Sequence, residues 1–534
     1  MTNKLHADVV IVGSGIAASQ ISQKLAKAGI DVLMLEAGPR IERWRVVENY
    51  RNSAYKNDFQ APYPPTEFAP HPQYSPNNDY LIQRGPENYK AGYLRVAGGT
   101  TWHWSAQAWR LLPNDMRLKS AFGVGRDWPI SYDDLEPFYY EAEVEMGVGG
   151  PDEGLGSPRS KPYPHPPQPL SDFDRRFKEA VEPHGYAHVT EPCARNTAPF
   201  DGRPACCGNS NCMPICPIEA QYTGETALRK AEAAKARLLT EAVVYRVEHD
   251  DRGHIAAVHY YDPNGASYRV TGKLFVLAAN AIETPKLMLN SVSDKFAKGI
   301  GNSSDQVGRN LMDHPGTSVR FLSKEPMWPG RGPMRLSCIN NLRDGDFRSD
   351  YAAMKINVGN YSPMLAVNNY LLSKGVYGVD FDAKVRDTAS RWVVVNSFFD
   401  ILPDPENRIT ASTEFKDKLG IPRPEVHYRI HDYVNRAAKV ARGHYATIAD
   451  LMGGTDVTYD DNYFNNNHIM GTLIMGNDPR DSVVDKELRS HDHPNLFIAS
   501  SGVMASAGTV NCTLTLSALA MRLADTIIQE AQHA

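Results

Sequence analysis

The sequence lacks nearly everything that would mark a membrane-spanning, disulfide-framed or nucleic-acid-binding chain. No uninterrupted apolar run approaches the roughly 20 residues that a membrane-spanning helix needs. Lys and Arg number 57 against 62 Asp and Glu, a formal net charge of −5, so there is no basic footprint for nucleic acid. The opening MTNKLHADVVIVGSG enters a strand and a glycine turn directly, with no room for a signal peptide. Any passage across a membrane is therefore expected to be made attached to a partner. Seven cysteines in 534 residues argue against a general disulfide framework. Four of the seven nevertheless fall in CCGNSNCMPICP (Cys206, Cys207, Cys212 and Cys216), with Cys193 just upstream, so the clustering asks for a local cause. No internal repeat is found.

The composition, 42% hydrophobic and 22% charged, is that of an ordinary soluble globular protein, and the length predicts two or three domains. From Ala7 to Gly38 the order is strand, Gly-rich turn, helix, strand. Val9, Val10, Ile11 and Val12 suit a buried parallel strand. Gly13, Gly15 and Ala18 fit GxGxxG/A: a tight turn, close backbone approach to a pyrophosphate, and close helix–strand packing. Helix N-terminal N–H groups supply the positive end for phosphates. Glu36 stands where a carboxylate would meet a ribose hydroxyl. This loop does not decide between NAD and FAD, and the alternative is a ligand-free glycine turn.

RVAGGTTWHWSAQAWR (Arg95–Arg110) would bring Gly98, Gly99, Thr100 and His103 against a flat ring system, although a lone histidine is more often structural. GKLFVLAANAIETPKLMLNS (Gly272–Ser291) reads as a buried strand, a small-residue turn at Ala279 and a helix, a second pass beneath the same nucleotide. Leu516, Leu519, Ala520, Leu523 and Ile527 recur at helical spacing. That helix starts around Thr509 to Thr513 and would turn its positive dipole toward an anionic ligand, or else reads as a C-terminal packing helix. For the cysteine loop, Cys206-x5-Cys212-x3-Cys216 has no second pair, which makes zinc a weak match. A disulfide needs oxidising conditions, and Cys216-Pro217 after a pliant Gly208–Asn211 stretch suits an iron–sulfur site. All three readings stand on spacing alone.

Together with VGRNLMDHP (Val307–Pro315) and the stretch His493–Asp525, these motifs resemble the glucose–methanol–choline (GMC) family of FAD oxidoreductases over the whole chain. GGTTWHW, GVGRDWPISYDDLEPFYYEAE, PFDGRPACCGNSNCMPICPIEAQY and NNHIMGTLIMGNDPRDSVVDK are similar to the branch of bacterial membrane-bound dehydrogenases of glucose, gluconate, fructose or sorbitol. The resemblance implies an α/β fold, a Rossmann-like FAD-binding domain interleaved with an α+β substrate domain on an antiparallel sheet. It selects His468 as catalytic base, Asn511 as holder of the substrate hydroxyl and Asn467 as a substrate contact. Many members carry a second histidine where this chain has Asn511. His103 would either pack on the flavin or be joined to it covalently. The cysteine segment would hold a 3Fe–4S cluster on Cys206, Cys212 and Cys216, with Cys207 the alternative to Cys206. Cys193, Cys338 and Cys512 are read as structural thiols.

The implied division gives residues 1–40, 91–115, 221–320 and 460–534 to the FAD domain. Residues 41–90, 116–192 and 321–459 go to cap, connector and substrate regions, and 193–220 to the iron–sulfur loop. SRWVVVNSFFDILPDPENRITAS (Ser390–Ser412) supplies candidate strands of the substrate sheet, and proline-rich Gly156–Phe173 an extended connector. Implied partners are a small export subunit and a multi-haem cytochrome c on the periplasmic face of the membrane, which this chain would meet only through its partner. The alternatives are an oxygen-using oxidase, or a flavoprotein whose cysteine loop is a zinc or disulfide docking element. A sugar-acid substrate would want Arg or Lys near His468, and NNNHIMG offers none, which leans toward a neutral sugar.

Overall fold

Four consecutive apolar residues, Val9 to Val12, can be buried on both faces only in the middle of a parallel sheet, and that is where they lie. Strand β1 (Leu5–Val12) pairs in parallel with β2 (Val32–Leu35) on one side and with the strand Ser267–Leu277 on the other. Helix α1 (Ile16–Lys27) connects β1 to β2. The structure is a computed structural model that describes residues 5–54, 60–72 and 80–533. Positions 55–59 and 73–79 of the cap region, and residues 1–4 and 534, lie outside the described residues.

Ser267–Leu277 holds the first sheet together by belonging to two sets of partners. Its first half pairs antiparallel with Ile255–Tyr261, which pairs with Val243–His249, and its last three residues pair in parallel with Leu496–Ile498. Its burial follows that division, exposed at the start and continuous from Phe275 to Leu277. With Arg237–Leu239 beyond β2, seven strands drawn from distant parts of the chain form one sheet. The C-terminal helix Thr513–His533 lies against α1 and against helix Tyr132–Met146, burying Leu519, Ala520, Leu523 and Ile527.

A second sheet of six strands is antiparallel at every pairing, in the order Thr455–Phe464, Gly316–Leu322, Trp392–Phe399, Met354–Val358, Ser337–Ile339, His188–Thr190. Helix Asp432–Leu451 covers it, pinned where Tyr445 Oη donates to Thr317 O (2.8 Å) and accepts from Ser397 Oγ (2.6 Å). Of the segment Ser390–Ser412, only Trp392–Phe399 enters this sheet. The remainder leaves it at Pro403 and Pro405, which cannot donate to a ladder, and reappears as Arg408–Lys416 in a separate three-stranded sheet with Pro422–His427 and Ile82–Gln83. The stretch Gly156–Phe173 carries no strand, and helix Asp172–Val181 begins only at its end.

Val307–Pro315 crosses from the first sheet to the second and is stitched on both sides. Gly308 N donates to Thr472 O (2.8 Å), Ile409 N donates to Gly308 O (2.7 Å), and Met312 and Met470 exchange two backbone bonds of 2.9 Å. That antiparallel bridge fixes the register so that His314 faces His468. Gly308 has φ +85°, and a Cβ there would lie 2.2 Å from Ile409 O. Gly308→Ala should therefore cost more than about 1 kcal/mol of stability, read as a lower thermal midpoint together with loss of bound flavin. An unchanged midpoint would show that this crossing is not a rigid joint.

Candidate active site

The turn after β1 is built for something that lies against backbone. Gly13 has φ +105°, and a Cβ on it would strike Ala278 O at 2.6 Å, whereas a Cβ on Gly15 would meet nothing within 4 Å. Gly15 is also the N-cap of α1 with no side-chain cap, so the first helical N–H groups face an open cleft. Ala18 is buried. Gly99 packs on Gly15 Cα, where a Cβ would stand at 3.0 Å, and Gly98 N donates to Ser14 Oγ (3.2 Å). Glu36 lines the cleft and accepts from Ser14 N (3.1 Å), Ser14 Oγ (2.7 Å) and Gly38 N (3.0 Å). Burial lifts its carboxyl above the ordinary range against the pull of those bonds. Thr100 and Ala279 line the same cleft. His103 does too; it is buried, burial holds its imidazole down to about 4, and its Nε2 has no hydrogen-bond partner. A dinucleotide carrying a flat ring fits this set: open helix N-terminus, acid at the end of β2, glycines that admit backbone, and an orphaned imidazole nitrogen.

His468 and Asn511 meet in the same cleft, with His468 Nε2 3.0 Å from Asn511 Nδ2. The protons on this pair follow from their partners. Gly508 O can only accept, so His314 Nε2, 2.9 Å from it, carries a proton. Neutral His314 then has a bare Nδ1, which lies 2.8 Å from His468 Nδ1 and accepts from it. His468 is thereby held as the Nδ1–H tautomer with Nε2 free to take a proton. Asn511 is oriented in the same way: Lys355 Nζ, which only donates, lies 3.3 Å from its Oδ1, turning Nδ2 toward His468 and toward Gln107 Oε1 (3.3 Å).

Behind this pair stands a buried carboxylate. Glu191 Oε2 accepts from Lys355 Nζ (2.8 Å), from Trp109 Nε1 (2.8 Å) and from Gln107 Nε2. Asp313 fixes the loops, accepting from His314 N (2.6 Å), His468 N (3.0 Å), Asn466 N (3.3 Å) and Tyr89 Oη (3.0 Å). Asp313, His314 and His468 are close enough for one cation, but their atoms are already committed to one another and to backbone. Burial first, then the charges of His314, Lys355 and Arg335, hold His468 well below the usual histidine range. Burial holds His314 at about 4. Both rings are therefore neutral near pH 7, the state a base requires.

The antiparallel sheet presents its polar side here. Lys355 stands opposite Phe398 and Asn357 opposite Asn396 in the ladder, Asn357 Nδ2 donating to Asn396 Oδ1 (3.2 Å). Phe398 packs edge-on to His468, ring centroids 5.3 Å apart. Asn467 lines the cleft in the left-handed region (φ 59°) with its Oδ1 accepting from Gly92 N (2.8 Å). Thr509, by contrast, does not line the cleft; its hydroxyl accepts from Arg343 Nε (3.0 Å), and Asn511, Cys512 and Thr513 form the wall instead. Cys512, first read as merely structural, is thus a cleft residue, its thiol lifted to about 12 by burial.

The cysteine loop adjoins the same cleft. Met213 lines the cleft, and Gln221 Nε2 ties Trp104 O (2.6 Å) to Cys212 O (3.4 Å). Cys212 is buried, Cys206 and Cys216 are half-buried, and Cys207 is exposed. Thiolates at Cys212, Cys193, Cys206 and Cys216 would all favour the charge of Arg195. Among the described residues no trio of cysteine sulfurs lies within the 4.8 Å spacing of ligands to a single ion. Thiols on one loop beside a buried guanidinium with two unpartnered N–H groups are a donor set that could hold a metal–sulfur group.

Missing from the sequence reading were His314, Asp313, Lys355, Glu191 and Gln107. Three of the five sat inside quoted motifs, VGRNLMDHP and WHWSAQAW. The i, i+2 pairs Lys355/Asn357 and Asn396/Phe398 become a signal only once the two strands are known to be neighbours.

Comparison with known proteins agrees with this architecture. Family models described as GMC oxidoreductase match residues 129–316 and 403–520. The chain is 49% identical over 540 residues to the fructose dehydrogenase large subunit of Gluconobacter japonicus, covering 99% of each. It is 23% identical over 575 residues to the gluconate 2-dehydrogenase flavoprotein of Pantoea cypripedii, covering 96% of this chain and 92% of the relative. In fold it is similar to formate oxidase of Aspergillus oryzae, with TM-score 0.67, 16% identity and 99% of each chain covered.

With His468 held so far down, the acid limb of kcat/KM should lie well below the ordinary histidine value of about 6.5. His314→Ala should leave flavin content unchanged, slow flavin reduction roughly ten-fold or more, and move that limb upward. A variant slowed at every pH by one factor, with the limb in place, would leave His314 a packing residue only.

Proposed function

The chain belongs to the GMC oxidoreductase family as an FAD-dependent sugar dehydrogenase, and from that premise we propose that it oxidises fructose or a closely related sugar or polyol. The observation carrying this reading is the preset pair, His468 Nε2 bare and Asn511 Nδ2 beside it, at the end of a dinucleotide cleft. FAD bound in the cleft supplies the hydride acceptor. Asn511 Nδ2 holds the oxygen of the substrate hydroxyl, and His468 Nε2 takes its proton. His314 keeps the tautomer, and Asn467 Nδ2 is available to the substrate. The orphaned His103 Nε2 suits either ring packing or covalent attachment, and flavin that stays with acid-precipitated polypeptide marks the second.

The interleaved division, with residues 1–40, 91–115, 221–320 and 460–534 as the FAD-binding domain, belongs to the same proposal. So does a 3Fe–4S cluster on Cys206, Cys212 and Cys216 as the electron outlet toward a multi-haem cytochrome c subunit, the complex sitting on the periplasmic face and exported with a small subunit. Support comes from the loop's place between cleft and surface, from the exposure of Cys207 against the half-burial of Cys206, and from a relative named as a large subunit. No helix among the described residues is long and apolar enough to cross a membrane.

Fructose is favoured over a sugar acid by the 49% identity to a fructose dehydrogenase large subunit, and Lys355, the cation bonded to Asn511, is already matched by Glu191. Arg335, which the sequence segment NNNHIMG gave no hint of, also bears on His468 and bonds Asn396 Oδ1 (3.5 Å). Assayed with an artificial acceptor, fructose should give the highest kcat/KM among fructose, glucose, gluconate and sorbitol. A higher value for gluconate would reassign the substrate. His468→Ala should keep its flavin and lose roughly 10²–10⁴-fold in flavin reduction, and normal reduction would sink the assignment. Iron in the purified protein, with little peroxide formed in air, separates this reading from an oxidase and from a zinc or disulfide docking loop.

A further inference from the structure

Arg110, Arg195, Arg343 and Arg348 are among the largest fully buried side chains of the molecule. Three of them are matched. Arg110 meets Glu136 and Glu143, Arg348 meets Asp115 and Asp400, and Arg343 has four hydrogen bonds, to Thr509 Oγ1, Leu155 O, Asn340 Oδ1 and Arg110 O. Arg195 is different. It is 1% exposed, its Nη2 donates to Ser105 O (3.1 Å), and its Nε and Nη1 have no partner. Among the described residues no carboxylate pairs with it. Its electrostatic neighbours are cysteines: thiolates at Cys212, Cys193, Cys206 and Cys216 would all favour its charge.

A guanidinium cannot shed its charge, so burying one with two idle N–H groups is unfavourable unless an anion belongs beside it. Neutral thiols are weak acceptors and supply no such anion. A metal–sulfur group with thiolate ligands does, and its sulfur atoms accept N–H bonds that tune its potential. Arg195 also stands on the inner side of the loop, bonded to the carbonyl of Ser105, a residue of the cleft wall, and bridged through its backbone to Gln221, which holds Cys212 O.

We propose that Arg195 is the built-in counter-cation of the cysteine-held cluster, serving its sulfur with Nε–H and Nη1–H and raising the potential at which it accepts an electron from the flavin side. This rests on the iron–sulfur reading given above. Reduction adds one electron and so one negative charge, which a fixed cation stabilises; without the cation the reduced form is disfavoured. Arg195 touches neither substrate nor flavin and is a positioning residue.

The test is an anaerobic redox titration of the purified holoenzyme, read by the low-temperature paramagnetic signal of the oxidised cluster, on wild type, Arg195→Gln and Arg195→Lys. The glutamine variant should keep its flavin and iron and titrate at a lower potential, with the lysine variant between it and wild type. Glutamine and wild-type potentials that coincide overturn the role of Arg195 while leaving the cluster in place. Wild type without iron overturns the cluster reading itself. Should Arg195→Gln not fold, the wild type labelled with 15N-arginine decides. Pulsed electron paramagnetic resonance should then detect arginine nitrogen coupled to the cluster, and Arg195→Lys should abolish that coupling. Coupling absent from wild type, or retained in the lysine variant, overturns the proposal.

Discussion

One contact sets the chemistry of the cleft: Nδ1 of His314 against Nδ1 of His468 at 2.8 Å. Two identical nitrogens can share that distance only if one carries a proton and the other does not. Gly508 O decides which, because it claims the proton on the far side of His314. The decision reaches His468 Nε2 and leaves it bare beside Asn511. Nothing in the sequence NNNHIMG contains this information. It depends on a backbone bridge between Met312 and Met470, and so on the segment that ties the two sheets together.

The same logic runs through the partner amide. Asn511 could present either end of its side chain, and Lys355 removes the choice by donating to Oδ1. Lys355 is itself buried beside the Glu191 carboxylate, which also collects Trp109 and Gln107. Such a pair adds little net stability, and removing one member alone is costly, about 3–5 kcal/mol in comparable sites. Its value here is orientation: a fixed charge fixes an amide, and the amide fixes where a hydroxyl can sit.

Local features were legible in the sequence, and features that depend on register were not. The β1–α1–β2 unit could be read because its apolar run, glycines and terminal acid lie within 32 residues whose order encodes the fold. The buried face of the last helix could be read from its spacing. Thr509 was misplaced because a residue four positions before a helix can face either side, and the guanidinium of Arg343 from another segment settled it. Cys512 was taken as a packing thiol because composition alone says nothing of which wall a residue joins. Arg195 was invisible for the same reason: an arginine is ordinary until its burial and its idle N–H groups are known.

The molecule thus has a proton end, at His468, and along the same cleft a cysteine loop that reaches the surface. The central claim is that one cleft joins the two. Mixing the oxidised enzyme anaerobically with a single equivalent of fructose, and following absorbance and paramagnetic signal in the same freeze-quenched samples, tests it most directly. The account predicts that flavin absorbance bleaches first, and that the oxidised-cluster signal then disappears as part of that absorbance returns. A cluster signal that persists unchanged while the flavin stays fully bleached would contradict it.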